Sequence, residues 1–402
     1  MHKTIYGTLV WFVATLFVIY AFCLNTAGAV FSEAIKNTLS ATDIGVSYAT
    51  GAFIIGFALM QIPAGYLLDR FNARYIVGTA IFLLALGNIA ISFSSNLYVY
   101  SIANFIQGMG ASFDFITACI LINQWFAPRM FPILTGLIET LAFIAAAIIH
   151  YFLLVALKNY SWQAVYQSLA IFGFILCFIT LCIVKTPKDY VFKKDLSLKQ
   201  SLSIVCSSTQ TWLCAIAAAT SFGVLLAYAG LWFMRIQKYY SVGDTQALLI
   251  GGMIFIGIGI GTPILGWLSN RLKSRKLVLH LSLVLGNMFL LMALYLPRFT
   301  LDSNIIIEIV SFLMGFFLSG SMLIYTMVSE MSTNSTRGVA ISITNSSVFI
   351  FNTVLLLIPY LFMVSIKDTF FTYLWILPFC ILISILLVYF LKETYPEQSC
   401  SY

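Results

Sequence analysis

Long apolar stretches separated by short polar connections are the dominant pattern of this chain. A helix needs about 20 consecutive apolar residues to cross the ~30 Å hydrocarbon core of a bilayer. Stretches of that length occur twelve times, six in each half of the sequence, and predict an all-α polytopic membrane protein with twelve transmembrane helices. The predicted spans are 8–30, 44–68, 75–95, 97–122, 131–156, 164–184, 209–234, 245–268, 277–296, 304–327, 338–363 and 370–391.

The composition fits a bilayer environment and excludes several classes of soluble protein. Hydrophobic residues make up 61% of the 402 residues and charged residues 9%, which is too little polar surface to cover a soluble globule. The eight cysteines include no C-x-x-C pair and the three histidines no H-E-x-x-H sequence. We therefore predict neither a disulfide framework nor a metal site.

Lysine and arginine determine the predicted orientation, because cytoplasmic loops retain positive charge. With the N-terminus inside, fifteen of the 21 Lys and Arg residues fall on inner segments and six on outer segments. We predict a multi-pass protein of the cytoplasmic (inner) membrane with both termini cytoplasmic. The same distribution accounts for the net charge of +7, so the expected partner of these bases is the lipid bilayer and not nucleic acid.

One polar connection, residues 185–208, is longer than the others and rich in lysine. It falls between the sixth and seventh spans. The predicted parts are therefore an N-terminal six-helix bundle at 1–185, a cytoplasmic linker at 186–208 and a C-terminal six-helix bundle at 209–402. Since the other connections are short, they leave no room for an extramembrane catalytic domain, and we predict that the protein is not an enzyme.

A loop sequence at residues 65–74 returns at residues 266–275, at a constant offset of 201 residues. The matched positions are Gly65 with Gly266, Asp69 with Asn270, Arg70 with Arg271 and Arg74 with Arg275. Because each copy lies between two apolar spans, the repeat indicates a duplicated block of membrane helices. That arrangement recurs in secondary transporters.

Both loops resemble the pattern G-x-L-x-D-R-x-G-R-R of the major facilitator superfamily, which lies between spans two and three, with a weaker copy between spans eight and nine. The first copy departs from the pattern at Asn72 and Ala73, where a glycine is usual, and the second has Asn270 in place of the acid. The resemblance covers the whole chain. It implies two pseudo-symmetric six-helix bundles that give alternating access by rocking, and we expect a functional monomer.

Two further segments bear on the direction of transport. Span four has Asn104 where the family pattern R-x-x-Q-G-x-G-A often has a proton-linked arginine, and span five, from Gly136 to Phe143, lacks the G-P pair that resembles the signature of drug/proton antiporters. Residues 124–129 and 263–271 look like segments of bacterial importers of small organic nutrients. Uptake is therefore ranked above efflux.

An acidic side chain inside a membrane span costs free energy, so its presence there indicates a functional or structural role. Glu139 lies roughly 12 to 14 Å from the cytoplasmic end of span five at ~1.5 Å rise per residue, near mid-membrane, where coupling sites occur. A carboxyl in that environment can load and release a proton, and we predict that Glu139 couples transport to protons. The alternative is a neutral Glu that bonds a neighbouring helix. Glu308, only ~6 Å deep in span ten, is expected to snorkel to the interface.

The resemblance also implies a gate at the cytoplasmic side. Asp114 lies ~26 Å from the outer start of span four, near the first loop, where an acid resembles a partner for the loop arginines in one access state; a static ion pair is the alternative. The acid of the loop can also favour the positive N-terminal end of a helix from the other half. The predicted gate residues are Gly65, Asp69, Arg70, Arg74, Asp114, Gly266, Asn270, Arg271 and Arg275.

The resemblance further implies that spans one, four, seven and ten line a substrate cavity. Candidates there, with one from span eleven, are Tyr20, Asn25, Asn104, Gln107, Thr220, Ser221, Tyr228, Trp232, Ser319, Tyr325 and Asn345. A lone intramembrane amide more often joins helices than contacts a ligand, so that alternative stays open for each polar candidate. No Lys or Arg lies deep in these spans, which favours a neutral, zwitterionic or weakly polar solute.

Together these features predict a secondary active transporter that takes up a small polar or zwitterionic solute, such as an amino acid or organic acid, across the cytoplasmic membrane. No cofactor is expected, and the proton gradient is the expected energy source. No glycine precedes a lysine, so a Walker A loop is excluded. The alternatives are an exporter of a small metabolite, siderophore or drug, and a transport-inactive sensor or scaffold.

Overall fold

The structure is a computed structural model that describes residues 2–187, 196–296, 304–362 and 373–396. Within these ranges every regular element is helical, which confirms the predicted all-α class. In the N-terminal half of the sequence the α-helices are α1 (His2–Val30), α2 (Ser32–Thr38), α3 (Asp43–Arg70), α4 (Ala73–Ser92), α5 (Leu97–Ala111), α6 (Asp114–Trp125), α7 (Phe131–Asn159) and α8 (Trp162–Ile183).

The C-terminal half continues in the same way from the linker onward. Its α-helices in the described ranges are α9 (Leu198–Ser207), α10 (Thr209–Ala227), α11 (Phe233–Tyr239), α12 (Asp244–Arg271), α13 (Arg275–Tyr295), α14 (Asn304–Leu318), α15 (Leu323–Met331), α16 (Arg337–Phe362) and α17 (Ile376–Phe390). Side-chain caps begin several of these helices: Thr42, Asn96 and Ser274 each accept a backbone N–H from the first turn that follows.

The described helices match the predicted pattern of spans. Eleven helical stretches are long and apolar enough to cross a membrane, and the shorter apolar helix α17 follows them. The predicted twelfth span, 370–391, begins among residues 363–372, which lie outside the described ranges. The architecture is thus consistent with the twelve-helix fold that the apolar pattern predicts.

Three predicted spans are interrupted, spans four and ten near their centres and span seven near its end. Span four changes from α5 to α6 across Ser112 and Phe113, and span ten passes from α14 to α15 through a 3₁₀ segment at Ser319–Met322. Span seven contains a π-helical turn, Tyr228–Trp232, between α10 and α11. Discontinuous helices and π turns concentrate at functional sites of transporters. The sequence contains no proline at these three points, so the apolar pattern gives no sign of them.

The chain forms two compact units that do not coincide with the two halves of the sequence. The first contains residues Met1–Ala127, Leu141–Leu202 and Asn334–Ser342. The second contains Pro128–Thr140, Ser203–Thr333 and Ile343–Tyr402. The start of α16 therefore belongs with the N-terminal helices, and the start of α7 belongs with the C-terminal helices.

Glycines bring corresponding helices into backbone contact inside each unit. In the first unit, a Cβ on Gly56 of α3 would meet the backbone carbonyl of Phe105 in α5. In the second, Gly257 of α12, which is 201 residues later, has the same relation to Phe312 of α14. Small residues allow membrane helices to approach this closely. The duplication therefore extends from the loop sequences to the packing of the helices.

Candidate functional site

The first loop sequence, residues 65–74, comprises the end of α3 and the connection to α4, and it contacts the start of α16 within the first unit. Asp69 is 1% exposed, and its Oδ1 accepts the N–H of Gly338 at 2.7 Å while its Oδ2 accepts the N–H of Val339 at 3.2 Å. These donors belong to the first turn of α16, where N–H groups have no partner inside the helix. The helix dipole adds a partial positive charge at the same point. Asp69 thus stabilises the N-terminus of a helix from the other half of the sequence.

The backbones of the loop and the helix lie directly against each other at this contact. A Cβ on Gly65 would collide with the carbonyl of Gly338 and the hydroxyl of Ser342, and a Cβ on Gly338 would collide with the carbonyl of Gly65. Only two glycines allow this approach. We refer to the contact of Gly65 and Asp69 with Gly338 and Val339 as the first junction.

The cations of the first loop lie over aromatic rings. The guanidinium of Arg70 is 4.7 Å from the centre of the Tyr66 ring, and that of Arg74 is 5.7 Å from the Tyr75 ring. Asn72, which departs from the family pattern, accepts the backbone N–H of Arg74 at 3.0 Å and caps α4. The departure therefore retains a local function, because an asparagine is among the best N-cap residues.

The second loop, residues 266–275, contacts the start of α7 within the second unit. Asn270 Nδ2 donates to the carbonyl of Arg129 at 2.7 Å, and its Oδ1 accepts from Arg275 Nη1 at 2.8 Å. A Cβ on Gly266 would meet the carbonyl of Pro132. Arg271 lies with its guanidinium 5.5 Å from the Trp267 ring. We refer to the contact of Gly266 and Asn270 with Arg129 and Pro132 as the second junction.

Arg275 is the centre of an ionic cluster beside the second junction. Its side chain is fully buried and pairs with Glu330 at 3.0 Å, with a further bond to the hydroxyl of Ser269 at 2.6 Å. Sequence reasoning missed Glu330 as a site residue. The signal available in the sequence was an acid just beyond residue 327, the predicted end of span ten, on the side of the membrane where the second loop and Arg275 are predicted to lie.

Glu393, which sequence reasoning also missed, caps the start of α13. Its carboxylate accepts the backbone N–H of Arg275 at 2.9 Å and of Lys276 at 3.1 Å, and it accepts from the hydroxyl of Ser274. Burial alone would raise the pKa of Glu393, but these hydrogen bonds and one from the backbone of Tyr395 outweigh it and lower the pKa from its ordinary range. The carboxylate is therefore held in its charged form.

Asp114 begins α6 directly after the break in span four. It is 6% exposed, and its Oδ1 accepts the N–H of Phe115 at 2.5 Å. An acid in the first turn of a helix is stabilised by the helix dipole. The gate role of Asp114 stays a prediction, since the described contact is with its own helix.

Glu139 is buried in α7, eight residues after the helix begins at Phe131, which corresponds to a depth of about 12 Å. The next residue, Thr140, donates to the carbonyl of Gly259 in α12 and to the carbonyl of Gly136 at 2.9 Å. The start of α7 therefore packs tightly on α12 in the second unit. Glu139 lies at the end of this packed region that is farther from the start of α7.

Several cavity candidates form a hydrogen-bonded chain inside the first unit. Gln107 Nε2 donates to Asn88 Oδ1 at 2.7 Å, and Asn88 Nδ2 donates to the hydroxyl of Tyr20 at 2.7 Å. The Tyr20 hydroxyl in turn donates to the carbonyl of Leu169 at 2.8 Å. Asn104 donates to the carbonyl of Tyr100. These bonds join four helices, so the helix-joining alternative has direct support for Tyr20 and Gln107.

Most of the remaining candidates already make hydrogen bonds within their own unit. The hydroxyls of Ser221, Thr220 and Ser319 donate to backbone carbonyls three or four residues earlier in the chain. Tyr325 donates to Asn345 at 2.9 Å, and Trp232 donates to the carbonyl of Leu355 at 3.2 Å. Asn25 is exposed. The hydroxyl of Tyr228, at the π-helical turn, is fully buried and makes no hydrogen bond within the described part of the chain.

Comparison with known proteins gives a family match that spans most of the chain. The family model described as Major Facilitator Superfamily matches residues 13–322 and 211–401. Among curated relatives, a multidrug resistance protein, MdtL, from Shewanella sp. (strain ANA-3) is 23% identical over 256 residues, covering 61% of this chain and 62% of the relative. A probable galactarate/D-glucarate transporter, GudP, from Escherichia coli (strain K12) is 23% identical over 200 residues, covering 46% and 44%. The chain thus matches about half to three fifths of the length of these relatives.

Solved structures share the fold over the full length. The proton:xylose symporter XylE has a TM-score of 0.78 at 13% identity and covers 98% of this chain and 97% of its own. The fucose:proton symporter FucP of E. coli has a TM-score of 0.72 at 17% identity, covering 98% and 100%. At this level of identity the similarity concerns the fold.

Proposed function

We propose that this chain, which belongs to the Major Facilitator Superfamily, is a proton-coupled carrier that imports a small neutral or zwitterionic solute across the cytoplasmic membrane. The observation that carries the proposal is the first junction, where the carboxylate of Asp69 holds the N-terminus of a helix from the other half of the sequence. Two hydrogen bonds and a glycine contact are strong enough to favour one conformation and weak enough to break.

Alternating access requires two states of similar free energy, with contacts that differ between them. In the proposed cycle both junctions hold in one access state and separate in the other. Asp69 is replaced by water at the start of α16 when the first junction opens. Charge-assisted bonds to a helix terminus are suited to this exchange, because water can satisfy both the carboxylate and the backbone N–H groups after separation.

Glu139 is the proposed proton-coupling residue. It is buried in α7, about 12 Å from the start of that helix, which is the depth at which the coupling sites of transporters lie. Its position beside the tightly packed Thr140 and Gly259 means that movement of α7 relative to its neighbours would change its surroundings. A carboxyl whose surroundings change with the access state can take a proton on one side and release it on the other.

The proposed solute carries no net charge. The described spans Ile5–Gly28, Leu97–Trp125, Thr209–Gly230 and Ile305–Met331 contain no Lys or Arg, so they offer no counter-charge to an anion. The buried hydroxyl of Tyr228 retains hydrogen-bonding capacity at the π-helical turn of span seven. A hydroxyl or amide group of a polar solute is a suitable partner for it.

A two-step experiment tests this proposal. Purified protein is first screened for thermal stabilisation by amino acids, nucleosides, sugars, organic acids and siderophores, because a ligand that binds the folded state raises the melting temperature. Uptake of each hit into proteoliposomes is then measured with and without a protonophore. We expect accumulation that the protonophore abolishes. Accumulation that ignores the proton gradient would exclude proton coupling.

The variant Glu139→Gln separates coupling from transport itself. It should lose accumulation against a gradient and retain solute exchange, since the amide cannot carry the proton. The exposed Glu33→Gln in α2 is the control and should leave both activities unchanged. Undiminished accumulation by Glu139→Gln would remove this residue from the coupling mechanism.

Export of a small metabolite or drug is the second candidate function. It is favoured by one observation, the 23% identity over 256 residues to the multidrug resistance protein MdtL. The two directions are separated by deleting the gene: loss of an importer lowers solute uptake by cells, whereas loss of an exporter raises solute retention and drug sensitivity. A transport-inactive sensor would leave solute fluxes unchanged in both assays.

A further inference from the structure

The two junctions use opposite hydrogen-bond polarity. In the first junction the loop residue is an acceptor, because both oxygens of Asp69 accept backbone N–H groups of α16. In the second junction the loop residue is a donor, because the amide of Asn270 donates to the backbone carbonyl of Arg129. The residues at positions 69 and 270 occupy equivalent places in the repeat. We therefore look for the reason that one is an acceptor and the other a donor in the helix that each residue contacts.

The facing helices supply that explanation. Gly65 lies against Gly338, and its repeat partner Gly266 lies against Pro132. Pro132 thus stands in the first turn of α7 where Gly338 stands in the first turn of α16. Proline has no backbone N–H. Of the two donors that Asp69 uses in the first junction, the N–H of Gly338 therefore has no counterpart in the second junction.

An aspartate at position 270 would be mismatched to this surface. Its oxygens can accept hydrogen bonds but cannot donate, so a carboxylate would face the Arg129 carbonyl as one acceptor against another. Asparagine avoids the conflict because its two ends differ. Nδ2 donates to Arg129 while Oδ1 still accepts from Arg275, which keeps the loop attached to the buried ionic cluster.

We propose that Asn270 is a positioning residue of the second junction and that Pro132 on the facing helix dictates its identity as a hydrogen-bond donor. The chain thereby pairs one charged, acceptor-type junction with one neutral, donor-type junction. The contribution of the second junction to alternating access rests on the proposed transport function. The hydrogen-bond matching itself is a property of the folded protein, and it can be measured without a substrate.

Electron-spin distance measurements on the full-length protein in lipid nanodiscs test the proposal. Spin labels are attached at Met130 and Leu272, whose side chains are exposed on the two sides of the second junction, after the native cysteines are replaced. The wild-type background should give a dominant short distance. Asn270→Asp should lower the ratio of the short to the long distance about tenfold, since the carbonyl of Arg129 loses its donor and meets a repelling oxygen.

Restoring a backbone N–H is the decisive step. Pro132→Ala provides an N–H at the position that matches Gly338 and keeps a residue that favours the helix. The double variant N270D/P132A should recover the short distance to within about threefold of the starting background, whereas Pro132→Ala alone should change it less than about threefold. If the two substitutions only destabilised the protein, the double variant would not regain the short distance, so this recovery separates hydrogen-bond matching from general destabilisation.

Two results would overturn the proposal. If Asn270→Asp leaves the distance distribution unchanged, position 270 does not require a donor. If N270D/P132A remains as open as Asn270→Asp alone, the missing N–H of Pro132 is not what excludes an acid. Neither result depends on transport, so a failure of the proposed carrier function would appear separately, as absence of solute uptake with normal junction distances.

Discussion

Gly65 has no side chain, and this allows the end of α3 to lie directly against α16. An added methyl group would meet the Gly338 carbonyl, which is backbone and cannot rotate away. We expect Gly65→Ala to destabilise the protein by about 1–3 kcal/mol through overpacking, although alanine favours helices. Gly51, in the same helix α3, has nothing within 4 Å of the added Cβ position. Gly51→Ala should therefore be neutral or stabilising, by at most about 1 kcal/mol.

The thermal unfolding of both variants in the same detergent checks this expectation. The melting temperature should fall for Gly65→Ala and stay level or rise for Gly51→Ala. The comparison removes helix propensity from the result, because both substitutions exchange the same residue types within one helix. Equal melting temperatures for the two variants would mean that the first junction contributes nothing to stability.

Residue types were easier to predict than the directions of side chains. The repeat identified Asp69 because its loop sequence is distinctive, and the partner it uses is the positive end of a helix, as the resemblance implied. Tyr20 and Gln107 are buried, and their hydrogen bonds run to Asn88 within the first unit, so their role in a substrate cavity stays a prediction. Helical periodicity gives the face of a residue only when the neighbouring helices are known.

At the scale of elements, α13 depends on a cap that is distant in sequence. The carboxylate of Glu393 accepts the first N–H groups of α13, and its pKa is lowered by those bonds despite partial burial. A lowered folded-state pKa stabilises the protein above the unfolded-state pKa, and that contribution is lost as the pH falls through the folded-state value. Glu393→Gln should therefore melt below wild type at neutral pH, and the gap should close in acid.

Melting curves of both proteins from pH 7 down to about pH 2.5 measure this gap, since an unperturbed Glu titrates near 4.3 and the folded-state pKa of Glu393 lies below its ordinary range. The control is Glu33→Gln in α2, whose carboxylate is mostly exposed and should give a small, constant difference. A gap for Glu393→Gln that stays the same across the range would mean that packing, and not the charge, accounts for its contribution.

The elements themselves follow from the apolar pattern, whereas their interruptions do not. Membrane helices are predictable because a bilayer forces every backbone group into a helix and demands about 20 apolar residues. The breaks at Ser112 and Ser319 and the π-helical turn at Tyr228 contain no proline, and the glycines and serines near them also occur in helices that continue unbroken, such as α12. They arise from packing inside each unit, which a one-dimensional pattern does not contain.

At the scale of the whole molecule, the duplication was predictable and the exchange of segments was not. The repeat of 201 residues relates the loops and the glycine contacts of the two halves. The compact units, however, take residues 334–342 into the first and 128–140 into the second. The predicted boundary between the bundles divides the chain by position in the sequence, whereas the two compact units are defined by which residues are in contact. The contacts arise because each loop binds the first turn of a helix from the opposite half.

The duplication and the charge pattern together predict one orientation for both loops. If each half crosses the membrane six times, the two loops must lie on the same face, and the excess of Lys and Arg places that face in the cytoplasm. Single cysteines at Phe71 and Leu272 report this face, and cysteines at Tyr98 and Tyr160 report the opposite one, since all four side chains are exposed. The native cysteines are replaced beforehand.

A membrane-impermeant maleimide should label positions 98 and 160 in intact cells and positions 71 and 272 only in inverted vesicles. Agreement between 71 and 272 tests the duplication, because an odd number of crossings between them would place them on opposite faces. The side on which they react tests the charge argument separately. Labelling of both from outside would preserve the two-fold repeat and reverse the orientation, whereas labelling from different sides would contradict the repeat itself.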